Sequence, residues 1–172
     1  MSAAIKFIDN KAIRNLEIGA GCGNFGKLYY AKCYLTDNDI TLKKSCKICY
    51  IDWFCDAHHL VWGEKRFDKI IICNPFGYGF RDEEDTETLM NELLRVLIEK
   101  GGQIIVIGAT ANPYCAPKRL KKQVSKYAEK RGLKLNVGIE AINASTLYPD
   151  YAFRDTLGTP INPSNKIIIE IE

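Results

Sequence analysis

The sequence predicts an α/β fold in which a mostly parallel sheet is covered on both faces by helices. Three observations carry that prediction. Short apolar runs alternate with longer stretches of helical period, the first apolar run opens into a glycine-rich turn, and acidic residues stand at the ends of the first three runs.

Candidate strands occupy residues 15–19, 32–36, 47–54, 67–73, 103–109, 133–139 and 166–171. Between the fourth and fifth, Leu89, Leu93, Val96 and Leu97 fall on one helical face, which Met90 and Leu94 widen. Gly101-Gly102 is the expected end of that helix. After Pro117, Leu120, Val124, Tyr127 and Ala128 repeat the spacing, and Gly132 stops the second helix. Residues 143–164 contain Pro149, Gly158, Pro160 and Pro163 and read as a long loop. In compact domains, loops of more than about 15 residues are usually functional or mobile.

The 172 residues are 47% hydrophobic and 26% charged, the profile of one globular domain spanning residues 1–172. A chain of this length buries roughly 70% of its unfolded surface and needs neither disulfides nor a structural metal. No run approaches the roughly 20 apolar residues of a membrane span, and residues 1–10 lack the basic region and apolar core of a secretory signal, so a cytoplasmic location is expected. The seven cysteines are an odd set, several within apolar runs, and are expected to be reduced. Net charge is +3, but eight Lys and Arg with one Glu between Lys118 and Lys134 give a local +7, leaving the rest at −4.

The first strand leads into Glu17-Ile18-Gly19-Ala20-Gly21-Cys22-Gly23-Asn24-Phe25-Gly26, a turn whose glycines let backbone approach a ligand closely. Gly21-x-Gly23-x-x-Gly26 also fits the dinucleotide fingerprint of oxidoreductases. Glu17 discriminates, since a carboxylate there suits an ammonium group and repels a pyrophosphate. Asp37 ends the second strand where a doubly wound fold holds ribose hydroxyls. Asp56, before Ala57, ends the third, where it can accept a hydrogen bond from an adenine amino group.

Taken in order with Phe67-Asp68-Lys69-Ile70-Ile71-Ile72-Cys73-Asn74-Pro75-Phe76 and with Glu92-Leu93-Leu94-Arg95-Val96-Leu97 before Gly101-Gly102-Gln103, these motifs resemble class I S-adenosylmethionine-dependent methyltransferases over residues 14–137. The resemblance implies a Rossmann-like doubly wound sheet of seven strands, mostly parallel, with an antiparallel last strand. It implies S-adenosylmethionine as cofactor: Glu17 holding the methionine amino group through water or backbone, Gly19, Gly21 and Gly23 packed on the methionine, and Asp37 and Asp56, with Ala57, gripping ribose and adenine.

Asn74-Pro75-Phe76-Gly77 resembles the (Asp/Asn)-Pro-Pro-(Tyr/Phe) motif of amino-methyltransferases, in which the Asn side chain and a Pro carbonyl accept from a planar amine or amide and the aromatic ring stacks on it. Two acceptors orient the nitrogen and fix its distance. The second Pro is missing here, which leaves Phe76 and Tyr78 both as candidates for the stacking ring. The acceptor implied is a planar nitrogen of a nucleic-acid base or of a protein or peptide side-chain amide. Alternatives are a small metabolite and a cofactor-binding, non-catalytic partner in a complex. Few residues precede the first strand, so the lid usual in the family is expected to be reduced and the pocket open there, for an oligomer or partner subunit to close. Substrate selection then falls to residues 74–82, 110–117 and 143–164.

Cys46-x-x-Cys49 with Cys55 and His58 or His59 has near-zinc spacing, but it crosses a predicted strand and lacks a glycine knuckle, so no metal site is expected. The basic stretch reads as a solvated helix face, with nonspecific attraction for phosphates at most. Asp82, Glu83, Glu84, Asp85 and Glu87 complement a helix dipole.

Overall fold

The computed structural model describes residues 9–172. Among them, seven strands form one sheet: β1 (Asn15–Ile18), β2 (Cys33–Asp37), β3 (Trp53–Phe54), β4 (Lys69–Cys73), β5 (Gln103–Gly108), β6 (Leu135–Ala141) and β7 (Asn165–Ile171), in the order β3-β2-β1-β4-β5-β7-β6. The first five are parallel, and β7 runs antiparallel to both β5 and β6. This is the doubly wound, mostly parallel sheet with a reversed last strand that the sequence predicts.

Alternation of side chains sorts the central strands onto two faces. Ile70, Ile72, Ile104 and Val106 meet Leu89, Met90 and Leu93 of α3 (Glu83–Val96) and Leu120, Val124 and Tyr127 of α4 (Pro117–Arg131). Ile71, Ile105 and Ile107 face the other way, toward Phe25 of α1 (Phe25–Tyr29), Ala144 of α5 (Ala144–Leu147), Tyr148 and Phe153. Burying an isoleucine such as Ile70, Ile71 or Ile72 completely contributes about 1.5–3 kcal/mol. The second face is therefore closed by aromatic rings on short helices and loop.

α3 stops at Val96, well before the glycine pair expected to end it. Leu97 turns extended, is buried, and lies beside Phe67 as an isolated bridge that prolongs the sheet. α4 ends as predicted, on Gly132 in the left-handed region (φ 63°). Its basic face is partly neutralised: Lys130 and Arg131 pair with Glu87 at 2.7 and 2.9 Å, and Lys126 with Glu83 at 3.6 Å. Asp82 caps α3 by accepting from the Asp85 amide at 2.9 Å.

The strand predicted over residues 47–54 is corrected to β3 alone. Residues 47–52 lie outside it, after the four-residue α2 (Leu42–Ser45). Asp52 explains the gap: its carboxylate accepts from the Leu35 amide at 2.9 Å and from Lys27 at 2.9 Å, so a side chain takes a β2 donor that a strand carbonyl would otherwise use.

The expected reduced lid falls largely on residues 1–8, outside the described residues. Residues 9–14 are fixed where β4 begins: the Arg66 guanidinium, 4% exposed, donates to both Asp9 oxygens at 2.8 and 2.7 Å and to the Asn10 carbonyl at 2.8 Å. That pairing lowers the Asp9 carboxyl to about 2. No described helix is long and apolar enough to cross a membrane.

Candidate active site

A cavity of about 970 Å³ opens at the carboxyl ends of β1, β2, β3 and β4, at the point where strand order reverses between β1 and β4. Ligands of open α/β sheets bind in that crevice. Every residue proposed from sequence for the cofactor or acceptor lies on its wall: Glu17, Gly19, Gly21 and Gly23, Asp37, Asp56 and Ala57, and Asn74, Pro75 and Phe76.

Glu17 is completely buried, and its Oε2 accepts from the Gly26 amide at 2.7 Å, clamping the turn to the start of α1. Its other oxygen, Oε1, has no hydrogen bond among the described residues beyond the weak polarity of the neighbouring Cys73 thiol. Burial pushes this carboxyl up to about 7, against the Gly26 amide and Cys73, which lower it. The turn is held from the second strand too, because Asp37 accepts from the Gly21 amide at 2.9 Å and from the Asp39 amide at 2.9 Å. Asp56 accepts from the backbone amide of His58 at 2.8 Å, with the His58 ring at 2.9 Å, and these bonds lower its carboxyl below the usual range.

Two tyrosines that the sequence did not single out for this purpose lie against the glycines. A β-carbon on Gly19 (φ 67°) would sit 2.2 Å from the Tyr78 hydroxyl, which donates to the Ile18 carbonyl at 2.9 Å. One on Gly23 would sit 2.0 Å from the Tyr151 hydroxyl. Tyr78 is thereby turned inward onto the glycine turn, while Phe76 is 65% exposed and meets Tyr114 edge-on at 5.6 Å. Arg81 lies 5.5 Å over the Tyr114 ring.

Residues 143–164 are more than a loop. α5 opens them, and Tyr148, Tyr151 and Phe153 pack around Phe25 at 4.8, 5.3 and 5.3 Å. Residues 150–156 then wall the cavity. The signal for this was the aromatic spacing of Tyr148, Tyr151 and Phe153 inside a proline-rich stretch.

The expectation that all seven cysteines are free thiols is overturned: Cys22, in the glycine turn, is joined to Cys46, just after α2 (Cα–Cα 5.4 Å). Both lie in loops outside the apolar strands, so the argument from core thiols does not reach them. With Cys46 so engaged, the near-zinc set is divided; Cys55 is mostly buried, and burial pushes its thiol up to about 11. Among the described residues no cluster of His, Cys, Asp and Glu is placed to hold a metal.

Asn74 leaves β4 in the left-handed region (φ 43°), a conformation asparagine tolerates, and its amide donates to the Ile107 carbonyl at 2.6 Å. Its side-chain Oδ1 and the Pro75 carbonyl both accept from one nitrogen, Nδ2 of Asn112, each at 2.9 Å. Asn112 stands in the loop between β5 and α4, and no feature of its sequence surroundings marks it.

No family profile and no curated protein matches this sequence. Solved structures do resemble it. An S-adenosylmethionine-dependent methyltransferase from Archaeoglobus fulgidus aligns at TM-score 0.58 and 16% identity over 94% of this chain and 87% of that one. A TehB-like one from Corynebacterium glutamicum aligns at 0.53 and 18% over 95% and 83%. One from Mesorhizobium loti aligns at 0.53 and 13% over 91% and 90%. The fold is that of class I S-adenosylmethionine-dependent methyltransferases.

Proposed function

We propose that the chain is an S-adenosylmethionine-dependent methyltransferase whose acceptor is a planar nitrogen, in a nucleic-acid base or in a protein or peptide side-chain amide. The observation that carries this reading is the convergence of Asn74 Oδ1 and the Pro75 carbonyl on a single amide nitrogen at the rim of the strand-end cavity. An acceptor NH2 offers the same two donors. The cavity also fits the cofactor: its volume lies in the range of small-molecule sites, Gly21 leaves open space, and a buried carboxylate oxygen of Glu17 lacks a full partner.

When bound, S-adenosylmethionine supplies a methyl group on a positively charged sulfur, so transfer needs alignment and desolvation more than a general base. Asp37 would take the ribose hydroxyls and Asp56 the adenine amino group, with Ala57 against the ring. Gly21, which leaves open space, would back the methionine portion beside Gly19 and Gly23, whose missing side chains admit the Tyr78 and Tyr151 hydroxyls, and Glu17 would favour its ammonium group electrostatically. Asn74 and Pro75 would hold the acceptor nitrogen, with Phe76, the exposed ring, stacked on its plane. Residues 74–82, 110–117 and 143–164 would select the substrate.

The test is methyl transfer from labelled cofactor to RNA, DNA and a peptide library, followed by location of the methyl group. Label on nitrogen, lost with Asn74→Ala, is the expected result. Label on oxygen, sulfur or carbon overturns the acceptor assignment.

A further inference from the structure

The proposed acceptor cradle is already filled by the chain itself. A carboxamide NH2 has two hydrogens to donate. Asn112 spends one on Asn74 Oδ1 and one on the Pro75 carbonyl, while its own Oδ1 accepts from the Tyr114 amide at 2.9 Å. Each acceptor retains a second lone pair, but only one nitrogen can stand at the point where both converge. Asn74 and Pro75 line the cavity, and Asn112, which is not among its lining residues, reaches them from the loop between β5 and α4.

The loop that carries Asn112 is fastened at its ends. Thr110 is bound to Asn165 at 2.7 Å at one end, and at the other Cys115 is 1% exposed, its sulfur against Gly108. Between these points Ala111 and Pro113 are exposed, and the backbone is closed by local turns, Asn112 to Ala109 at 3.0 Å and Cys115 to Asn112 at 3.2 Å.

Resting on the nitrogen-acceptor reading above, we propose that Asn112 is an intramolecular occupant of the cradle, a positioning residue that the acceptor displaces and that thereby sets specificity. Only a group with two hydrogens on one planar nitrogen replaces both of the bonds that Asn112 gives up. A hydroxyl or thiol, with one hydrogen, leaves an acceptor unpaired, and sites built to pair buried polar groups reject ligands that cannot. The same count limits the reaction to one methyl group. In transfer the nitrogen lone pair forms the N–C bond as the methyl–sulfur bond breaks toward sulfur, and one N–H proton passes to water. The product nitrogen then has a single hydrogen, and the NH2 of Asn112 re-enters and expels it.

The experiment uses the protein saturated with S-adenosylhomocysteine, so that the adenine pocket is filled, and titrates benzamide, 9-methyladenine and N-methylbenzamide as probes. Nitrogen-15 spectra follow the side-chain amide of Asn112, identified by its loss in Asn112→Ala. Benzamide or 9-methyladenine is expected to move that signal toward the solvent-exposed position, and which of the two does so distinguishes a carboxamide from a base as substrate. In Asn112→Ala the effective probe should bind about 10-fold more tightly, because two competing hydrogen bonds are gone. N-methylbenzamide should gain less. The proposal fails if neither benzamide nor 9-methyladenine binds the variant more tightly, or if a probe binds the unaltered protein with the Asn112 signal unmoved. The spectra of the unaltered protein decide the matter even where the variant folds poorly. Loss of S-adenosylhomocysteine affinity itself would instead overturn the methyltransferase reading.

Discussion

Replacing Glu17 by glutamine keeps the acceptor for the Gly26 amide and removes a titration that burial has displaced. The carboxyl is raised from the ordinary 4.5 to about 7, chiefly by desolvation. An acid raised in the folded state binds more protons there than in the unfolded chain between pH 4.5 and 7, so its contribution to stability is greatest below 4.5 and falls as pH rises through that window. The shift corresponds to about 3 kcal/mol in all. Urea unfolding of the protein and of Glu17→Gln, compared at matched pH from 4.5 to 8, isolates this group from other titrations. The protein should lose about 3 kcal/mol relative to the variant across the range. A difference that does not change with pH would refute the argument. An ammonium ligand reverses the balance by favouring the carboxylate, so affinity for S-adenosylhomocysteine should rise up to about tenfold per pH unit below 7 in the protein and stay flat in Glu17→Gln.

Four other expectations follow from the structure. Cys46→Ser opens the crosslink between residues 24 apart and should lower stability by about 3 kcal/mol on the chain-entropy account, read by denaturation with and without reductant; an unchanged midpoint contradicts it. Asn74→Ala should reduce turnover on the order of 100-fold while leaving S-adenosylhomocysteine affinity nearly intact. Phe76→Ala should raise the acceptor KM, whereas Tyr78→Phe, which removes the bond to the Ile18 carbonyl, should weaken cofactor binding; interchanged effects would show that the rings have been assigned the wrong way round. Lys121 and Lys122 lie on the exposed face of α4 without ion pairs among the described residues. If nucleic acid is the substrate, their change to Glu should weaken association and flatten its salt dependence, read by binding at 50 and 200 mM salt.

The parts of this fold legible in sequence are those where one local rule acts alone. β4 and β5 read directly because a strand buried on both faces is a continuous apolar run. The stripes of α3 and α4 read from their period, and Gly132 from its left-handed backbone. Residues 47–52 did not, because apolar composition alone cannot reveal that Asp52 satisfies the edge of β2 with its side chain. α3 ended early because Leu97, extended and buried, bridges to Phe67 instead of continuing the helix. Among candidate site residues, those at strand ends were found because topology brings successive strand ends to one edge. Cys22–Cys46 and Asn112 were not, since each acts through a contact between loops that leaves no periodic mark.

The central claim, that the strand-end cavity binds S-adenosylmethionine through Asp37 and Asp56, is tested most directly by calorimetric titration of S-adenosylhomocysteine into the protein and into Asp37→Ala and Asp56→Ala. One-to-one binding, weakened about tenfold or more by either substitution, is the predicted result. No affinity, or tighter binding of a nicotinamide dinucleotide than of S-adenosylhomocysteine, would contradict it.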